Sequence, residues 1–123
     1  MAVVIGIPTS ADPAERRTPI VPDVVKKLRA AGAEIVVQRG ATDGAHLDEA
    51  SLGEVSWVDT TDDVLAAADV VWVVGPPDEA TVGKLRPGTV LMGMLQPYAS
   101  ADRARLFCDR QITAFALELL PRI

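Results

Sequence analysis

The chain has 123 residues, 49% of them hydrophobic and 24% charged, the balance of one globular domain with a single core rather than of a disordered segment. Its net charge of −5, with 12 basic residues scattered among 17 acidic ones, excludes electrostatic capture of nucleic acid or of an anionic membrane. The lone cysteine, Cys108, excludes an internal disulfide and a cysteine-based metal site, and reads as a small apolar residue on a helix.

In chain order, the first apolar run is "AVVIGI" at 2–7. It carries no basic leader and no cleavage pattern, so a cytoplasmic location is expected. The loop after it, "DPAERRTPIVPD", places Arg16 and Arg17 side by side before a helix. Such a pair either holds a carboxylate or phosphate through two parallel hydrogen bonds or is a solvated surface pair. In "VPDVVKKLRAAG", Val21, Val24, Val25 and Leu28 recur at helical spacing, with Pro22 suited to the first helical position and Gly32 to the stop.

A second run, "AEIVV" at 33–37, follows. His46, the only histidine, sits in "TDGAHLDEA" and reads as a loop or helix-cap residue, with nothing resembling a nucleophile beside it. "LDEASLGEVSWV" reads as a small helix plus an irregular or edge segment. Thereafter helix signals and apolar runs alternate: "TTDDVLAAA", the run "DVVWVV" at 69–74, "DEATVGKLR", the run "TVLMGML" at 89–95, "SADRARLFCDRQ" with a Ser100 cap, and "ITAFALELL" at 112–120.

Nearly continuous apolar runs alternating with helices predict an α/β domain over 1–123, with a parallel sheet buried on both faces and right-handed crossovers. Pro8, Pro76, Pro97 and Pro121 follow four of the runs and mark the carboxyl ends of the strands. In a parallel sheet those ends share one rim, the place where open α/β sheets bind ligands, and that rim gathers Arg16, Arg17, Gln96, Tyr98, Glu118 and Arg122. Glu118 has two readings there: a strand-end residue paired to an arginine, or a group facing a cofactor. No G-x-G-x-x-G follows a strand, "VGKL" is not a phosphate loop, and no cluster has metal-ligand spacing.

Three stretches, "IGIPTSADPAERRTPIVPDVVKKLRAAGAEIVVQRGA", "ADVVWVVGPPDEATVGKLRPGTVLMGML" and "ITAFALELLPRI", resemble the amino-terminal domain shared by the alpha subunit of proton-pumping NAD(P) transhydrogenase and by alanine dehydrogenase. The resemblance implies a flavodoxin-like open sheet. It also implies NAD held mainly by a Rossmann domain that would continue from P-R-I into a segment of the type S-R-A-Q-S-M-D, after which the chain would return to complete this first domain. Hydride would pass from NADH to NADP, coupled to proton translocation. The implied partners are the NAD-binding domain of the same subunit, the membrane and NADP-binding subunits, and a second copy in a homodimer. Arg17 matches the family's arginine after the first strand, and Gln96, Glu118 and Arg122 are the other rim candidates for cofactor contact; no metal is implied. Where alanine dehydrogenases place a substrate-binding lysine and a catalytic histidine, the matches are Val73 and Gln96. An aliphatic side chain and a neutral amide supply neither function. The alternatives are a fragment of an alanine or saccharopine dehydrogenase-like enzyme, or a non-enzymatic flavodoxin-like module.

Overall fold

The structure, a computed structural model, describes residues 2–122. Six parallel strands form one sheet: β1 (Val4–Ile7), β2 (Glu34–Gln38), β3 (Ser56–Val58), β4 (Val70–Trp72), β5 (Val90–Gly93) and β6 (Thr113–Ala116), in the spatial order β3-β2-β1-β4-β5-β6. Between them lie α1 (Pro22–Ala30), α2 (Glu49–Leu52), α3 (Thr61–Ala67), α4 (Glu79–Lys84) and α5 (Ala101–Asp109). Without the three-residue β3, the order reads 2-1-4-5-6, which is the flavodoxin arrangement. The added edge strand comes from the stretch read as a small helix plus an edge segment, and α2 is that helix.

The helix boundaries follow local chemistry. Pro22 opens α1, and Gly32 ends it at a φ of 91°, a left-handed conformation that costs a glycine nothing. Thr60, Asp78 and Ser100 each accept a hydrogen bond from the backbone N–H three residues on, at 3.1, 2.8 and 3.1 Å. Each removes one of the unpaired donors at a helix start.

Side chains alternate across the sheet, and the two faces differ. On one, α3, α4 and α5 cover a core of Leu65, Val71, Val82, Leu85, Leu91, Leu95 and Phe107. On the other, Ile7, Ile20, Val25, Ile35, Val37 and Leu52 pack beneath α1 and α2. That second cover lies over β1 and β2; Met92 on β5 is only half-buried and Phe115 on β6 is 48% exposed. Met92 and Phe115 are register partners, so they share the uncovered side.

Two expectations are corrected here. The last apolar run does not continue as a strand to 120: β6 ends at Ala116 and a 3₁₀ turn spans Leu117–Leu119, because Glu118 turns back to accept two backbone N–H groups beyond β5. Nor is that strand buried on both faces, since it lies at the sheet edge with one side uncovered. Cys108 lies on α5 as expected but is exposed. His46 is an exposed loop residue at a φ of 58°.

Candidate functional site

Strand order reverses between β1 and β4, since α1 carries the chain from β1 outward to β2 while α3 brings it back to β4. The loops leaving β1 and β4 therefore diverge and leave a crevice at the carboxyl rim. A cleft of about 280 Å³ lies there, lined by Thr9 and Ser10 after β1, Val73 and Val74 after β4, and Arg17, Thr61, Asp78 and Thr81 around it. It continues into a broader depression of about 750 Å³ that shares Ser10, Arg17 and Asp78 and adds Glu15, Gln96, Tyr98, Arg103 and Glu118.

Of the rim residues singled out from sequence, the structure brings Arg17, Gln96, Tyr98 and Glu118 to this one depression. Arg16 and Arg122 are exposed and are not among the lining residues. Arg16 instead has its backbone packed on the turn at Gly44, where an added Cβ would stand 2.7 Å from the Arg16 Cα. The glycine permits that close approach.

Arg17 does not pair with Glu118. Its Nε and Nη2 donate to the two carboxylate oxygens of Glu15 at 2.9 and 2.8 Å, and its backbone N–H donates to the same carboxylate at 2.9 Å. This parallel pair fixes the guanidinium plane at the cleft mouth. Arg17 beside it holds the Glu15 carboxyl down at about 2, from an ordinary 4.5, and the Arg17 pKa is raised in turn. Glu118 accepts from the N–H of Leu95 at 3.2 Å and of Gln96 at 3.0 Å.

Sequence reading missed Gln38 and Arg103. Gln38, at the end of β2, accepts through Oε1 from the Thr9 N–H (3.0 Å), the Thr9 hydroxyl (3.2 Å) and the Thr61 hydroxyl (2.8 Å), tying together the floor loops of the narrow cleft. Arg103, at the start of α5, donates to the carbonyls of Leu95 and Gln96 at 2.9 and 3.1 Å. Neither role carries a motif; only the placement of Gln38 at a strand end was visible.

The arrangement suits one portion of a nicotinamide dinucleotide. Gln96 and the cleft hydroxyls offer amide and hydroxyl hydrogen bonds to a small polar head group, and Arg17 supplies a fixed cation. It does not suit the pyrophosphate: the loop from Pro8 to Val21 contains no glycine, and the N-cap of α1 is Val21 with no side-chain cap, so the phosphate cradle at a first helix is missing. Among the described residues no group of His, Cys, Asp and Glu has the form of a metal site. No helix among them is long and apolar enough to cross a membrane.

The family described as "Alanine dehydrogenase/PNT, N-terminal domain" matches residues 6–123. Among curated proteins, the chain is 38% identical over 126 residues to the first of the polypeptides that make up the NAD(P) transhydrogenase alpha subunit of Rhodospirillum rubrum, covering 97% of this chain and 33% of that protein. It is 34% identical over 116 residues to the alanine dehydrogenase of Mycobacterium tuberculosis, covering 93% and 31%. The solved transhydrogenase of Sinorhizobium meliloti superposes with a TM-score of 0.90 at 28% identity, over 98% of this chain and 36% of that one. The chain thus spans about one third of the length of these relatives, and over that third it belongs to the alanine dehydrogenase/PNT N-terminal domain family.

Proposed function

We propose that this chain is the first segment of an NAD(P) transhydrogenase alpha subunit, supplying the domain that closes over an NAD cleft whose phosphate-binding half lies in further polypeptide. In the complete enzyme hydride passes from NADH to NADP, coupled to proton translocation through membrane and NADP-binding subunits. That enzyme works as a dimer on the cytoplasmic side. The bound nicotinamide supplies the hydride chemistry. This chain's residues hold and enclose the head group: Gln96 and the cleft hydroxyls by hydrogen bonding, Arg17 by a cation locked in place by Glu15.

One observation carries the reading: the described residues give the cleft no free carboxylate or imidazole for proton transfer. Its lining residues include no histidine, lysine or cysteine. Its carboxylates are all committed: Glu15 to Arg17, Asp12 to the Ala14 N–H at 2.9 Å, Asp78 to the α4 cap, and Glu118 to two backbone donors. Direct hydride exchange between two nicotinamides needs no such group, whereas amination of a keto acid does. The same observation disfavours the alanine dehydrogenase reading, along with Val73 and Gln96.

The test is hydride transfer from NADH to an NADP analogue, with this chain joined to its nucleotide-binding domain and the NADP-binding domain supplied. Arg17→Ala is expected to lower the rate with an unchanged melting temperature; an equal rate at saturating NADH would remove Arg17 from the site. Pyruvate- and ammonium-dependent NADH oxidation by the same protein, at ordinary dehydrogenase rates, would overturn the reading in favour of alanine dehydrogenase. The 123-residue chain alone is expected to bind NADH only feebly, and calorimetry showing stoichiometric low-micromolar binding would contradict that.

A further inference from the structure

We infer that Glu118 and Arg103 are positioning residues that hold Gln96 in a left-handed backbone conformation and so set where its amide stands on the cleft wall. The inference rests on the reading of the cleft as the cofactor-facing site for its purpose, but its geometry stands alone. Gln96 has φ 48° and ψ 57°, a conformation that costs a residue with a side chain roughly 1–2 kcal/mol. It persists only where the surroundings fix it.

Here the fixing groups are of opposite charge and approach from two elements. The carboxylate of Glu118, in the turn after β6, takes both N–H groups of Leu95 and Gln96. The guanidinium of Arg103, in the first turn of α5, takes both carbonyls, and the Ala99 N–H adds a third bond to the Gln96 carbonyl at 3.0 Å. Every backbone polar group of the two residues is therefore occupied.

The anchors are themselves rigid. Leu95 is 1% exposed in the core, so the peptide cannot shift toward β5. Ser100 caps α5 by accepting from the Arg103 N–H at 3.1 Å, which fixes the helix turn from which the arginine reaches. The arginine's Nε is buried without a partner, a cost tolerated where the fork of the guanidinium is committed to the two carbonyls. A surface residue held only by its own loop would need neither charge. The clamp also joins the cleft wall to the turn after β6, so a displacement of that turn moves Gln96 with it.

The experiment uses amide hydrogen exchange and backbone carbon chemical shifts of the 123-residue chain, for wild type, Glu118→Gln and Arg103→Lys. In the first variant the side chain at position 118 retains one acceptor oxygen but turns a donor toward the second N–H. The second variant keeps the charge but loses the two-pronged geometry. Both variants are expected to speed exchange at the Leu95 and Gln96 amides about tenfold or more, the scale of a lost charge-assisted hydrogen bond. Both should move the Gln96 carbon shifts away from left-handed values, with exchange in β1 and β4 unchanged. Unchanged exchange and shifts at Gln96 in either variant would overturn the inference. So would a uniform acceleration over the whole sheet, since it would make the two residues general supports of the fold. Failure of hydride transfer in the joined protein bears on the proposed function and leaves this result untouched.

Discussion

Arg17 shows how a single side chain passes from ambiguous to committed once its neighbour is known. The sequence offered two adjacent arginines with equivalent chemistry, and only the loop's path separates them: Arg16 packs its backbone on Gly44, and Arg17 lies in the depression bound to Glu15. The partner two residues away could have been found in "ERR", because a short acidic-basic spacing in a tight loop permits a fork. Glu118 was legible as a rim residue but not as a backbone acceptor, since its partners lie 22 and 23 positions earlier. The Glu15 carboxyl, held at about 2 by Arg17, carries a pH consequence. A depressed carboxylate contributes its stabilisation above its unfolded value and loses it as protons bind in the folded state. The fork is therefore expected to be intact above about pH 4.5 and to open as the pH falls toward 2. The carboxyl carbon shift of Glu15, followed by NMR, should titrate with a midpoint near 2; a midpoint at an ordinary glutamate value would mean that the pair does not form in solution.

At the scale of elements, alternation of apolar runs and capped helices made the parallel sheet readable, because each cap and each strand-ending proline acts within a few residues. β3 was not readable as a strand: Ser56–Val58 has three residues and owes its extended form to pairing with Val36–Gln38, a tertiary cause invisible in so short a stretch. The same limit applied to Ala116–Leu120, where composition favoured a strand and the two hydrogen bonds to Glu118 imposed a turn. Packing between elements is tightest at Gly6 of β1. A Cβ there would stand 2.6 Å from the Ala68 Cβ and 2.7 Å from a methyl of Val64, so the glycine lets α3 and the chain after it lie directly on the strand. Gly6→Ala is expected to destabilise the chain by roughly 1–3 kcal/mol, the usual range for overpacking a filled interior. Urea unfolding would check it, and a neutral result would show that α3 can move outward at no cost.

For the molecule as a whole, the sheet is finished on one face and half finished on the other. Leu91 and Met92 are neighbours on β5, yet Leu91 is fully buried beneath α4 and α5 and Met92 looks onto the bare side. Leu91→Ala is expected to cost roughly 2–5 kcal/mol and Met92→Ala well under half of that, by denaturant unfolding. Similar costs at both positions would mean that the second face is covered in solution. The apolar depression of about 530 Å³ on this side, formed by Trp72, Met92, Met94 and Leu117, fits the expectation that more polypeptide completes the domain. β6 adds a hazard of its own. It is an edge strand, hydrogen-bonded to β5 alone, and it bears Phe115, 48% exposed, on the bare face, with Leu117, Leu119 and Leu120, 40%, 60% and 62% exposed, following it. An open edge with apolar side chains is a template for another chain's strand. Separated from whatever covers it, this segment should therefore be the point from which the protein forms edge-to-edge dimers and then aggregates, and a lysine in place of Phe115 should keep it in solution at concentrations where the parent chain precipitates.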